Sequence, residues 1–211
     1  MSRLFIHIPK NAGSSIKKSN LSEVEFVHPG HLRGDYLADL KAAMNKEGLT
    51  SHAGHAGWRD LKPEHQEKDC FAVIRNPWAR TVSRYTFYLK LTGEKLAFKN
   101  WMLKRDEYLN KPFWHHRTTM NWQQQAEHVT DKDGNLTCTI LRHEEIAEDL
   151  KSLLGDHAKL GHRNASNPGI NYKMFYTPEL IQMVKDWYEE DIDLFGFTYG
   201  SSATKNFLLE V

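Results

Sequence analysis

The sequence predicts an α/β fold built on a largely parallel sheet, and three observations predict it. Two short apolar runs, RLFIHI at 3–8 and KDCFAVIRNP at 68–77, each end in a proline-containing loop and pass directly into a helical pattern. A third, LTCTILR at 136–142, is followed by the amphipathic HEEIAEDLKSLLG, which ends on a glycine. Apolar runs of strand length alternating with segments of helical period are the pattern of βαβ units, whose sheet is covered on both faces.

The elements follow in order. The first strand leads to a helix from Ser14 to about Ser19, and VEFVH at 24–28 predicts a second strand. Tyr36, Leu37, Leu40 and Met44 space out one apolar face of a helix over 35–48, with Gly48 as its stop. LTSHAGHAG at 49–57 begins as a strand and ends in a small-residue loop. Pro77 at a first helical position opens a helix to about Leu91, and another covers 95–105. Residues 106–126, rich in Trp, His, Asn and Gln without a clean period, predict a loop-and-helix lid. Asp133-Gly134 between alternating segments predicts a hairpin, and 143–155 a helix. HRNASNPGINY at 162–172 is turn-rich. Thr177 and Pro178 then open a helix running to about Glu190.

Composition limits the functions available. The 211 residues, without repeat, low-complexity tract or linker, predict one domain over 1–211. A net charge of +1 gives no global field for nucleic acid or an anionic membrane, so any anion affinity must come from local Lys and Arg. No apolar run approaches membrane-spanning length and no charged-then-apolar leader is seen, which predicts a soluble, cytoplasmic protein. Cys70 and Cys138 sit in strand-like runs and read as buried thiols, with a single disulfide left open.

Two segments carry chemistry. In IHIPKNAGSS, a strand empties into a turn where Gly13 permits close backbone approach and Ser14 and Ser15 offer hydroxyls. Lys10 adds a point charge to what the loop amides of Asn11, Ala12 and Gly13 would hold, an anion. The plainer reading is a β–turn–α connection with a surface lysine. In RNPWARTVSRY, Arg75 at a strand tip and Ser83 two turns into the helix are placed to meet one phosphate from two sides. Arg75 paired with a carboxylate, and Arg80 and Arg84 solvated, is the alternative. Two anion sites at the ends of two parallel strands suit a nucleotide with phosphates at both ends.

These two segments resemble the sulfotransferases that use 3′-phosphoadenosine 5′-phosphosulfate (PAPS), and most of all the carbohydrate and heparan 2-O-sulfotransferase-like branch. The resemblance implies a three-layer, P-loop-kinase-like α/β fold. It implies that Lys10 and the loop Asn11–Ser15 hold the 5′-phosphosulfate and that Arg75 and Ser83 hold the 3′-phosphate. SHAGHAGW at 51–58 resembles the segment carrying the branch's catalytic base, which maps onto His55 with His52 as rival. HRNASNPGINYK resembles a cofactor-covering loop, with Arg163 and Lys173 as phosphate contacts; a plain surface turn is the other reading. LRHEEIAEDLKSLL has His143-Glu144 where the family usually has Phe-Glu.

The resemblance implies in-line transfer of a sulfuryl group to an acceptor hydroxyl, that of a carbohydrate in this branch, with adenosine 3′,5′-bisphosphate as product. Residues 93–126 would form the acceptor-side lid, and Trp114 or Trp122 would offer a stacking surface. No His-Glu-x-x-His or Cys-paired spacing is present, so no metal is expected. A kinase on the same scaffold is the enzymatic alternative, opposed by the missing G-x-x-x-x-G-K-[ST] loop. A nucleotide-binding module without catalysis is the other.

Overall fold

The computed structural model describes residues 2–46, 53–107, 122–160 and 171–208. Four strands, β1 (Arg3–Ile6), β2 (Val24–Phe26), β3 (Cys70–Ile74) and β4 (Thr139–Arg142), form one sheet in the order β2-β1-β3-β4. Every pairing is parallel, with Phe5 opposite both Phe26 and Phe71, and Phe71 opposite Thr139. All four strands therefore end on one edge, and the loops leaving β1 and β3 emerge there side by side.

Strand alternation sends side chains to two buried faces. Leu4, Ile6, Ala72, Ile74 and Ile140 pack on one face with α4 (Pro77–Thr92) and α8 (Pro178–Trp187). Phe5, Phe71, Val73 and Leu141 pack on the other with α1 (Gly13–Lys18) and α7 (Ile146–Leu154). The architecture is thus α/β with a parallel sheet between helices, as expected. Among the described residues the other α-helices are α2 (Gly34–Lys46), α3 (Pro63–Gln66), α5 (Phe98–Leu103), α6 (Ala126–Val129) and α9 (Glu189–Phe195).

Local chemistry sets the helix that matters most for the site. Asn76 Oδ1 accepts the N–H groups of Trp78 (3.1 Å) and Ala79 (3.2 Å), and Pro77 starts α4. Gly93, at φ 71°, ends it. Beside β4, Asp149 is 1% exposed and accepts from Arg142 Nε at 2.9 Å and Nη2 at 2.6 Å, pinning α7 to the sheet.

Three expectations differ from the structure. The Asp133-Gly134 turn closes only one antiparallel bridge, Thr130 to Leu136. Asp131 Oδ1 accepts the N–H groups of Asp133 and Asn135, making a compact loop, and β4 then pairs with β3 in parallel. The helix expected from 143 begins as a 3-10 turn over His143–Glu145. The final helix breaks at Tyr188, whose non-helical backbone, φ −125° and ψ 32°, separates α8 from α9. Cys70 and Cys138 are both buried, unbridged thiols. Among the described residues, no helix is long and apolar enough to cross a membrane.

Phe71 lies fully buried at the centre of the sheet between β1 and β4. Phe71→Ala is expected to lower stability by about 3–5 kcal/mol through lost burial and the cavity left behind, read as an earlier urea midpoint with an unchanged slope.

Candidate active site

The β1 loop is held in an unusual backbone. Lys10 and Ala12 adopt left-handed conformations at φ 72° and 61°, and neither is glycine. Buried contacts hold them there. The Asn11 side chain is fully buried and donates from Nδ2 to Val73 O (2.8 Å) and to Gln125 Oε1 (2.6 Å). Arg80 Nε donates to Pro9 O at 3.2 Å, and Arg75 Nη1 to Lys10 O at 3.3 Å. At the N-terminal end of α1, the N–H groups of Ala12, Gly13 and Ser14 take no backbone acceptor among the described residues. Asn11 thus uses its side chain to hold the loop, while Ser14 is exposed and Ser15 half-buried.

Cations gather around this loop. Lys10 Nζ sits 4.0 Å from the centre of the Phe87 ring. Burial, then the charges of Arg75, Arg84 and Lys90, push its ammonium down to about 8. Arg80 and Arg84 are each 1% exposed, and Ser83 is buried between them along α4. Burial lowers Arg75 and Arg84 to about 10. Arg84 Nη1 donates to Tyr188 Oη at 2.7 Å and its guanidinium lies 4.7 Å from the Trp122 ring. Arg75 Nε, Arg80 Nη2, and Nε and Nη2 of Arg84 are buried donors without an acceptor. Unpaired buried guanidinium N–H groups beside a loop of unpaired amides make a receptor for anions.

His55 stands on the other side of β1's end. Its Nδ1 lies 2.9 Å from His7 O. A carbonyl only accepts, so Nδ1 carries the proton and Nε2 the lone pair, the tautomer a general base needs. The His7 and His55 rings lie 4.3 Å apart, and His7 stacks on Phe5 at 5.6 Å. A Cβ on Gly13 would fall 1.9 Å from His7 Nε2, so Gly13 is the residue that lets the loop close over this ring. The structure therefore brings Lys10, Ser14, Ser15, Arg75, Ser83 and His55 to one edge of the sheet. Lys173 lies at the C-terminal side, its Nζ 5.8 Å from the Tyr199 ring. His52, Arg163 and Trp114 lie outside the described residues. Trp122 is buried against Trp101 and Arg84.

Sequence reading missed the second layer. Gln125, Asp191 and His128 are buried behind the loop. Burial pushes Asp191 up to about 6, opposed by Arg80. His128 is driven down to about 3 by burial and Arg80, and neither of its ring nitrogens has a partner. Gln125 lies in an aperiodic Gln run, which carries no local signal.

Glu25, His28 and His31 form the one potential metal-binding group among the described residues, their ligand atoms within 4.8 Å of one another. Nδ1 of His28 accepts from Gly30 N–H and Nδ1 of His31 from His28 N–H. In the neutral rings the proton is then on Nε2, and His31 gives it to Glu25 Oε1 at 2.9 Å, while Lys68 Nζ holds Oε2 at 2.8 Å. That is a hydrogen-bonded carboxylate, not a set of lone pairs.

Gly13→Ala is expected to cost about 1–3 kcal/mol by overpacking His7 and to displace His55. Adding His7→Ala should recover part of that loss in a denaturant melt.

Comparison with known proteins finds no matching curated protein. A solved structure described as a sulfotransferase from Alicyclobacillus acidocaldarius is similar at 17% identity, over 92% of this chain and 93% of that one, with a TM-score of 0.49. The family model described as "Sulfotransferase family" matches residues 3–198. The chain belongs to the sulfotransferase family, and its chemistry is sulfuryl transfer.

Proposed function

We propose that this enzyme transfers a sulfuryl group from PAPS to a hydroxyl of an acceptor, a carbohydrate in the branch it resembles. The observation that carries the donor reading is the pair of cationic sites at the adjoining ends of β1 and β3. One is the Lys10 loop and the other is Arg75 with Ser83, with four guanidinium nitrogens of Arg75, Arg80 and Arg84 buried without acceptors. A nucleotide carrying phosphates at both ends supplies acceptors to both. The carbohydrate acceptor rests on the sequence resemblance alone.

The donor supplies a sulfuryl group on a phosphate leaving group. Sulfuryl transfer resembles phosphoryl transfer, where positioning and charge stabilisation do most of the catalysis. The loop amides from Ala12 to Ser14 and the hydroxyls of Ser14 and Ser15 bind the 5′-phosphate end. Lys10 neutralises charge as the phosphate leaves. Arg75 and Ser83 hold the 3′-phosphate. His55 takes the acceptor hydroxyl's proton at Nε2, with the imidazole fixed by His7 O. The assignment of His55 is favoured by that fixed tautomer.

Lys10→Ala is expected to abolish transfer while adenosine 3′,5′-bisphosphate still binds; turnover near wild type would remove Lys10 from its role. Arg75→Ala should weaken bisphosphate binding by about 1.5–3 kcal/mol, as for a lost charged hydrogen bond, in calorimetry.

The pH dependence has a definite sign. The unliganded Lys10 titrates near pH 8, and a bound anion raises that value. Between the two values binding takes up a proton, so bisphosphate affinity falls as pH rises above about 8, at most about tenfold per unit. Lys10→Arg should flatten that profile in titrations from pH 7 to 10. Labelling of a glycan acceptor from radioactive PAPS in the presence of chelator tests the reaction as a whole.

A further inference from the structure

Gln125 has every hydrogen-bonding position filled, and its partners Asn11 and Arg75 belong one to each anion site. Oε1 accepts from Asn11 Nδ2 at 2.6 Å and from Arg75 N–H at 2.8 Å. Nε2 donates to Arg75 O at 2.9 Å and to Asp191 Oδ2 at 3.0 Å. The orientation of the amide is unambiguous, because Arg75 N–H can only donate and Arg75 O can only accept. The side chain is fully buried. It therefore docks on the backbone of Arg75 as a neighbouring strand would, while also gripping the residue that holds the Lys10 loop.

The anchoring of Gln125 is itself strong. Asp191 Oδ1 accepts Ala126 N–H at 2.8 Å, and Asp191 N–H donates to Gln124 Oε1 at 3.2 Å, so α9 fixes the segment from both sides. Arg80 Nη1 donates to Gln123 O at 2.9 Å, tying the same segment to α4. The β1 loop and the tip of β3 are joined by other contacts, but Gln125 is the side chain that bonds to the backbone of one and the anchoring residue of the other.

We propose that Gln125 is a positioning residue that holds the two phosphate sites of the donor at a fixed separation. This rests on the reading of the donor as a nucleotide with two phosphate ends. Such a ligand gains from both sites at once only when their spacing matches its own, and the second phosphate then binds at high effective concentration. Loosening the spacing removes that gain without removing either site. The mark of the role is a loss confined to the doubly phosphorylated ligand, which a merely structural residue would not produce.

The test measures affinity for adenosine 3′,5′-bisphosphate, adenosine 5′-monophosphate and adenosine 3′-monophosphate by calorimetry, on the wild type, Gln125→Ala and Gln125→Glu. The glutamate variant keeps the length and the two acceptor bonds but sets a carboxylate oxygen against Arg75 O and Asp191. In both variants the advantage of the bisphosphate over the better mononucleotide is expected to shrink by about tenfold or more, while each mononucleotide changes by less than about threefold. Equal losses for all three ligands, or an unchanged advantage, would overturn the role of Gln125 and leave the donor assignment standing. A wild type without preference for the bisphosphate would instead overturn the donor assignment. One measurement needs no variant: adenosine 3′-monophosphate bound to the wild type should slow amide hydrogen exchange at Gly13–Ser15, and unchanged exchange there counts against the coupling.

Discussion

The left-handed backbone at Lys10 and Ala12 is the constraint on which the rest of the site depends. Residues with a Cβ hold such conformations at about 1–3 kcal/mol each, and only where the surroundings over-determine them. Here the surroundings are the buried Asn11 amide and two guanidiniums on the carbonyls of Pro9 and Lys10. The loop delivers the chain into α1, whose first N–H groups, at Ala12, Gly13 and Ser14, take no backbone acceptor among the described residues. What sets this connection apart is the left-handed pair held by buried side chains beside a cluster of buried cations.

The second consequence is electrostatic. Arg75, Arg80 and Arg84 come from the tip of β3 and from α4, and the contacts that satisfy them in part are carbonyls, a phenol and an indole ring. Carboxylates stand further back: Asp191 is engaged by Gln125 and Ala126, and Glu144 accepts from Asn76 N–H at 2.9 Å. Leaving buried cations short of acceptors destabilises the unliganded protein, and a polyanion relieves it. Stability and function therefore pull in opposite directions at this edge of the sheet, as they commonly do at a binding site.

Much of this was legible in the chain because the signals are local. Strand runs followed by helix patterns announce the parallel sheet, and Pro9, Gly13, Arg75 and Ser83 lie within the short segments that turn at its edge. The Asp133-Gly134 turn forms but closes a single antiparallel bridge, because Asp131 supplies the side-chain acceptor that makes the loop compact. Gln125, Asp191 and the His7 carbonyl that sets His55 were not legible, since their roles come from residues far apart in sequence. A buried amide that bridges Asn11, Arg75 and Asp191 looks, in one dimension, like any glutamine in a polar run. His52 and Arg163 lie outside the described residues, so the sequence remains the ground for them.

The most direct measurement is a crystal structure of the complex with adenosine 3′,5′-bisphosphate. The account predicts the 5′-phosphate against the amides of Ala12–Ser14 with Lys10 Nζ withdrawn from Phe87 to meet it, and the 3′-phosphate against Arg75 and Ser83. A nucleotide bound in the reverse sense, or away from the ends of β1 and β3, would contradict it.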